Sequence, residues 1–195
     1  MADKFLKSLN IGDGNIYKPL PLLDGGGKNW VKSNVTNGGC FSVYYANDIW
    51  VAGGSGLYYS TNGKLWTQSN VTSGVMRDFF SVYYGNDIWV ASGNGGLWYS
   101  TDGKSWTQSN IIEGFFYSVY YSNGIWVAGS SGDKGLYYST DGKNWTQSNV
   151  TSGYFESAYY SNGIWVACSD SLYYSESSEG KILKVINGEW GVGDI

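Results

Sequence analysis

Residues 96–110 read GLWYSTDGKSWTQSN, and the fold follows from the recurrence of this stretch along the chain. It returns as GLYYSTNGKLWTQSN at 56–70 and as GLYYSTDGKNWTQSN at 135–149. Two partial copies complete the set. SLYYSE at 171–176 carries the first half without the second, and GGGKNWVKSN at 25–34 carries the second half without the first. Between copies recur SVYYANDIWVA, SVYYGNDIWVA, SVYYSNGIWVA and SAYYSNGIWVA, starting at Ser42, Ser81, Ser118 and Ser157, at spacings of 39, 37 and 39 residues.

Each period holds short apolar-aromatic runs separated by turn residues: FSVYY, then Asn47-Asp48, IWVAG, a glycine loop, LYYS, Thr61-Asn62-Gly63-Lys64 and LWTQSNV. Such a unit reads as a four-stranded antiparallel meander. One meander cannot bury its faces alone, whereas meanders arranged radially pack against each other and protect most of their edges. The repeat therefore predicts an all-β fold, a four-bladed β-propeller with about 39 residues per blade. The last period lacks its fourth strand while the chain begins with a spare one, GKNWVKSN. The amino-terminal strand is accordingly expected to pair as the outer strand of the carboxy-terminal blade and close the ring.

This reading divides the chain into an amino-terminal arm at 1–24, the propeller at 25–178 and a tail at 179–195. In the tail, KILKVI, the turn Asn187-Gly188 and EWGV read as a small β-hairpin. A length of 195 residues suits one self-sufficient core. With 18% aromatic residues, 29 glycines and two prolines, the composition favours short strands and tight turns and leaves little for helices.

A net charge of -4, with Arg77 the lone arginine, offers no basic stripe for a phosphate backbone, so nucleic acid is not expected as a partner. No apolar run reaches the roughly 20 residues that span a bilayer, and the start MADKFLKSLN lacks the core of a secretory signal. The expectation is a protein made in the cytoplasm, with no membrane insertion. Cys40 and Cys168 lack metal-ligand spacing and read as two small buried thiols. No metal or cofactor is implied. Histidine is absent, which removes the commonest general acid or base, and most carboxylates sit in repeated turns or tails. Catalysis is not expected, and a glycosidase carboxylate pair is the least favoured alternative.

With strands a to d running outward in each blade, the a-b and c-d turns share one side and are nearly identical in every repeat. The b-c and d-a loops share the other side and differ: GGSG, SGNGG, GSSGDKG and CSDS, then GGC, GVMRDF, GFFY and GYFE. Aromatic rings in variable loops beside a few charges suit recognition, because they give contact area at low entropy cost. The candidate ligand-binding residues are Met76, Arg77, Phe79, Phe115, Phe116, Tyr117, Asp133, Lys134, Tyr154 and Phe155, with Asp78 and Glu156 beside them. The alternative is that these rings pack between blades as core. Trp50, Trp89, Trp126 and Trp165 recur once per blade with the Tyr pairs, and read as inter-blade packing rather than as sugar-stacking platforms.

STDGKSW resembles the Asp-box of sialidase-type propellers, one residue shorter and confined to the c-d turn. Asp102, Asp141 and Asn62 are expected to bond the amides of their own turns. Sialidases hold the substrate carboxylate with several arginines, a set that Arg77 alone does not supply. The ends, KFLKSLNI with DGNIYKPL and the closing EGKILKVINGEWGVGDI, resemble segments of bacteriophage tail- and head-fibre structural proteins. That resemblance implies a virion-associated protein whose tails bind other virion proteins. The expected function is a non-catalytic adhesin or lectin that recognises a bacterial surface glycan or cell-surface receptor through the variable side. The alternative is a decoration or spacer protein with no ligand of its own. A homo-oligomer is compatible with either.

Overall fold

The structure is a computed structural model, and it describes residues 9–10, 16–17, 27, 29–35, 39–71, 78–176, 183–186 and 189–192. The chain forms two compact units, residues 1–32 and 33–195. In the first unit, β1 (Leu9–Asn10) pairs antiparallel with β2 (Ile16–Tyr17). Gly27 in this unit has φ 69°, and the Trp30 indole N–H donates to its carbonyl at 2.8 Å.

The second unit contains four antiparallel sheets in chain order. The first is β3 (Cys40–Ala46), β4 (Ile49–Gly54), β5 (Gly56–Ser60) and β6 (Thr67–Gln68). The second is β7 (Phe79–Gly85), β8 (Ile88–Gly93), β9 (Gly96–Ser100) and β10 (Thr107–Gln108). The third is β11 (Phe116–Ser122), β12 (Ile125–Ser130), β13 (Leu136–Ser139) and β14 (Thr146–Gln147). The fourth has three strands, β15 (Ser157–Ser161), β16 (Ile164–Cys168) and β17 (Leu172–Glu176). In the tail, β18 (Leu183–Ile186) pairs with β19 (Glu189–Val192), which is the hairpin read from KILKVI and EWGV.

Both turn classes follow from local chemistry. In the a-b turns the two central residues have positive φ: 47° and 58° at Asn47-Asp48, 48° and 57° at Asn86-Asp87, 49° and 77° at Asn123-Gly124, 51° and 83° at Asn162-Gly163. This is the type I′ geometry whose twist matches a hairpin, and Asn, Asp and Gly tolerate it best. In the c-d turns the Ser100 hydroxyl accepts from the amides of Asp102 and Gly103, at 3.2 and 2.9 Å. The Asp102 carboxylate accepts from the amides of Lys104 and Ser105, each at 2.8 Å, and the Trp106 indole donates to the Gly103 carbonyl at 3.3 Å. Ser60-Asn62 and Ser139-Asp141 build the same turn.

The inner strands pack in succession, β3 on β7, β7 on β11 and β11 on β15. A bulge between Phe79 and Ser81 makes this packing possible. Residues three apart on a regular strand face opposite sides, yet Phe79 and Val82 are both buried because the extra residue resets the alternation. Trp89 is 0% exposed, edge-on to Tyr44 of the preceding blade at 6.1 Å and beside Tyr84 of its own at 5.0 Å. Trp126 repeats this against Tyr83 and Tyr121. The recurrent Trp of the second strand is thus an inter-blade wedge. Trp50, in the first blade, pairs only with its own Tyr45 among the described residues and is half-buried.

A second inter-blade device uses the Asn that ends each WTQSN stretch. The Asn70 side chain accepts from the Trp106 amide at 2.7 Å and donates to the Trp106 carbonyl at 3.1 Å, bridging one blade to the outer strand of the next. Asn110 does the same to Trp145, and Asn34 to Trp66.

The thiols depart from the expectation of burial: Cys40 and Cys168 are both exposed. Cys40 holds the position of Phe79, Phe116 and Phe155, but it lies in the first blade, where no earlier blade covers it. Cys168 lies in the fourth blade, which no later blade covers among the described residues. Ring closure through an amino-terminal strand is not shown, and no fourth strand pairs with β17 among the described residues.

Candidate functional site

The variable side is assembled from loops of neighbouring blades joined by backbone hydrogen bonds. The amides of Gly95 and Gly96 donate to the Gly114 carbonyl at 3.0 and 3.1 Å, and the Ser131 amide donates to Phe115 at 3.0 Å. At the next junction the Gly153 amide donates to Gly132 at 2.8 Å, and the Tyr154 amide to the Ser169 hydroxyl at 3.1 Å. Gln108 ties down one d-a loop by donating to the carbonyls of Gly95 and Ile112 at 2.8 and 3.0 Å. Gln147 ties down the b-c loop of the next blade by donating to the Lys134 carbonyl at 2.7 Å. These loops are held by their own main chain, which leaves their side chains free to differ.

The structure divides the candidate residues. Phe79, Phe116 and Phe155 are 1%, 0% and 0% exposed, so they are core and do not reach a ligand. At Phe79 and Phe116 the physical reason is the bulge, which turns these aromatics inward under the preceding blade. The residues before Phe116 and Phe155 face solvent: Phe115 is 48% and Tyr154 63% exposed. In the first two blades the same position holds Gly39 and Asp78. The position is exposed at Gly39, Phe115 and Tyr154, whereas Asp78 is half-buried and its carboxylate accepts from the Ser55 hydroxyl at 3.1 Å.

Around Phe115 lie Ile112, exposed, and the ion pair of Lys134 Nζ with Glu113 Oε1 at 3.5 Å. Asp133 is exposed on the same b-c loop, and Lys134 is partly covered. Tyr117 is half-buried and belongs to the inner wall, its ring 5.2 Å from Phe80, which in turn lies 5.5 Å from Phe41. These rings help line a channel of about 360 Å³ between the inner strands, which Glu156 also borders. Met76 and Arg77 lie outside the described residues. Sequence reasoning missed Ile112, Glu113 and the serine and glycine amides that fix the loops. The signal for the exposed position was available, as the residue directly before each repeated core aromatic.

On the inner strands Tyr44, Tyr83, Tyr120 and Tyr159 form a ladder with ring separations of 4.6, 4.7 and 5.1 Å, the first three also lining the channel. Burial first, then hydroxyl contacts with Tyr120 and Tyr44, push the Tyr83 phenol up, so it stays a neutral hydrogen-bonding group at physiological pH. The turn carboxylates are shifted the other way. Burial works to raise the Asp141 carboxyl, but hydrogen bonds from Asn144, Lys143 and Ser139 outweigh it and lower it from 3.8 to about 2. Asp102 is lowered by the same arrangement. Each is engaged in its own turn, and neither is poised for proton transfer near neutrality. Among the described residues no group of three metal-ligating side chains occurs, and no helix is long and apolar enough to cross a membrane.

The depressed Asp141 pKa has a measurable consequence. A carboxyl lowered by folding stabilises the protein fully above its unfolded value, and that contribution is lost as pH falls from 3.8 toward about 2. Asn62 fills the same position in the first blade with the same amide bonds. Asp141→Asn is therefore expected to unfold within about 1 kcal/mol of wild type at pH 7 and to lose less stability between pH 4 and pH 2. Urea midpoints across that range check it, and an unchanged acid slope would refute the assignment.

No known protein family matches the sequence, and no curated protein resembles it. Solved structures do match. The computationally designed Ika8 protein aligns at TM-score 0.56 and 10% identity over 78% of this chain and 50% of its own. The designed Ika4 protein aligns at TM-score 0.58 and 12% identity over 77% of this chain and 98% of its own. YCF48 bound to D1 peptide aligns at TM-score 0.56 and 17% identity over 85% of this chain and 57% of its own. This chain thus spans about half the length of two of these propellers, and the likeness supports one conclusion: its four sheets are the blades of a β-propeller fold.

Proposed function

We propose that this protein is a non-catalytic binding module of a phage or prophage virion appendage, recognising a bacterial surface glycan through the variable side of its propeller. The observation that carries this reading is the exposed pair Phe115 and Tyr154. They hold the same position at consecutive blade junctions, on loops whose main chain is already fixed by neighbours. Exposed aromatic faces stack on the apolar face of a sugar ring, and Asp133 with the Glu113–Lys134 pair supplies hydrogen-bonding groups beside Phe115. Two sites side by side give weak individual contacts the benefit of avidity.

The virion part of the reading rests on the resemblance of both chain ends to fibre proteins. The absence of histidine and the engaged turn aspartates support the non-catalytic part.

The test is a bacterial surface-glycan array probed with the full chain, Phe115→Ala, Tyr154→Ala and the double variant. Each single change is expected to weaken binding by about 5- to 30-fold, in line with ~1–2 kcal/mol for an aromatic contact. Because both side chains are exposed, the variants should unfold like wild type. No glycan bound by the full chain would sink the reading. Association with virion proteins in that case would identify a spacer, and capture of an extended peptide would point to peptide recognition, as the YCF48 complex shows for another propeller.

A further inference from the structure

The two ends of the blade array are complementary to each other, and residue-by-residue comparison with the internal junctions shows how. At the internal junctions the outer-strand Trp of one blade is buried against its predecessor. Trp106 packs with Ile49, Val51 and Trp89, and Trp145 with Ile88, Val90 and Trp126. Among the described residues no outer strand pairs with the fourth blade. Where its Trp would sit lies a groove of about 920 Å³ lined by the corresponding Ile125, Val127 and Trp165, with Tyr174 on the unpaired edge of β17. Asn149 also lines it and is exposed, without the Trp backbone that Asn70 and Asn110 hold.

The missing strand exists at the other end of the sequence. Trp30 is 86% exposed, and its turn matches the internal ones, with Gly27 at φ 69° against 70°, 71° and 70° at Gly63, Gly103 and Gly142. Asn34, four residues on, already grips Trp66 of the first blade, as the end of a preceding blade's outer strand does at each internal junction. The tyrosine ladder stops at Tyr159, 60% exposed, and at the other end half-buried Trp50 lacks the preceding-blade Tyr that Trp89 and Trp126 have.

The cysteines fall on this same seam. At the first internal junction a Cβ placed on Gly53 would lie 3.1 Å from the Phe79 Cβ, and at the third a Cβ on Gly129 would lie 2.7 Å from that of Phe155. Ser92 occupies the position at the second, opposite Phe116, with both side chains fully buried, so a Cβ-bearing pair fits there. In the repeat Cys168 is the counterpart of Gly53, Ser92 and Gly129, and Cys40 is the counterpart of Phe79, Phe116 and Phe155. The two cysteines of the chain therefore occupy the facing positions of a last-to-first blade junction. Disulfides need Cβ atoms about 3.5–4.5 Å apart, a modest widening of the internal spacing.

We infer that two copies of this chain join end to end into a single ring, with residues 27–34 of each copy completing the last blade of the other and Cys168 of one copy facing Cys40 of its partner. A second copy is favoured over closure within one chain by the uncovered state of both ends of the array. The inner strands pack in succession, β3 on β7, β7 on β11 and β11 on β15, while Cys40 at one end and Tyr159 and Cys168 at the other are all exposed, so within residues 33–195 the last blade does not cover the first. A head-to-tail contact repeated about a two-fold axis closes without leaving a free end. This inference is independent of the glycan reading, since the junction buries the blade flanks and leaves the variable loops outside it.

The experiment uses the full chain. Light scattering is expected to give twice 21.4 kDa for wild type and 21.4 kDa for Trp30→Ala, whose exposed side chain contributes nothing to the folding of the blades themselves. Chains carrying Cys40→Ser and Cys168→Ser are then co-expressed, purified and treated with oxidised glutathione. At the mixed junction two thiols lose their protons and two electrons, one S–S bond forms, and the glutathione disulfide leaves as two reduced thiols. A covalent dimer is expected from the co-expressed pair and none from either variant alone. A 21.4 kDa wild type whose thiols disappear without covalent dimer would place the bridge within one chain and overturn the inference. So would thiols that persist, or a ladder of species beyond the dimer.

Discussion

Trp126→Ala is expected to destabilise the protein by about 3–5 kcal/mol, the range for removing a fully buried large aromatic. The side chain is 0% exposed and wedged between two blades, 6.2 Å from the Tyr83 ring and 4.9 Å from that of Tyr121. Its indole nitrogen has no hydrogen-bond partner, so the loss is one of packing alone. Gly142 approaches so closely that a Cβ there would lie 3.2 Å from that nitrogen, so the surrounding turn has little freedom to collapse into the space left. Rigid walls keep a cavity open, which places the cost toward the upper part of the range. Trp50→Ala is the internal control: the same residue in the same strand, half-buried for want of a preceding blade, should cost less than half as much. Urea unfolding of both variants under reducing conditions at low protein concentration, with unchanged m-values, measures the difference. Equal costs would show that the wedge is not an inter-blade element.

The second large effect is expected at Asn110. Its side chain accepts from the Trp145 amide at 2.8 Å and donates to the Trp145 carbonyl at 3.0 Å. Asn110→Ala leaves both backbone groups unpaired against the junction, at a cost of about 2 kcal/mol, since each buried orphan carries a desolvation penalty. Asn110→Asp retains the acceptor and loses the donor, and should fall between Ala and wild type. Asn149→Ala removes the same residue where the chain itself supplies no Trp to hold, and should leave the unfolding of a dilute single chain unchanged. Were Asn110→Ala as mild as Asn149→Ala, the bridge would be a consequence of packing rather than a support for it.

Much of the fold was legible because repetition multiplies a weak local signal. One NDIWVA or STDGKSW could belong to many proteins; several copies at one spacing leave few architectures. The turn roles of Asn62, Asp102 and Asp141 were readable for the same reason, since an Asx side chain bonds amides two and three residues on wherever it sits in the chain. The candidate site was only partly readable. Phe115 and Phe116 are adjacent and chemically identical, yet one faces solvent and the other is fully buried. A bulge of a single residue makes that assignment, and it is fixed by the blade packed beneath. The inter-blade Asn was in view in every WTQSN copy, but its partners, Trp106 for Asn70 and Trp145 for Asn110, lie 36 and 35 residues away.

The sequence by itself determined the unit, its strands, its turns and the number of blades, because each depends on contacts within about ten residues, where spacing and side-chain type suffice. Only the tertiary structure decided which aromatics are core, how one blade grips the next, and that both cysteines are exposed. Those outcomes depend on what a neighbouring blade covers, and at the two ends of the array no neighbouring blade lies among the described residues.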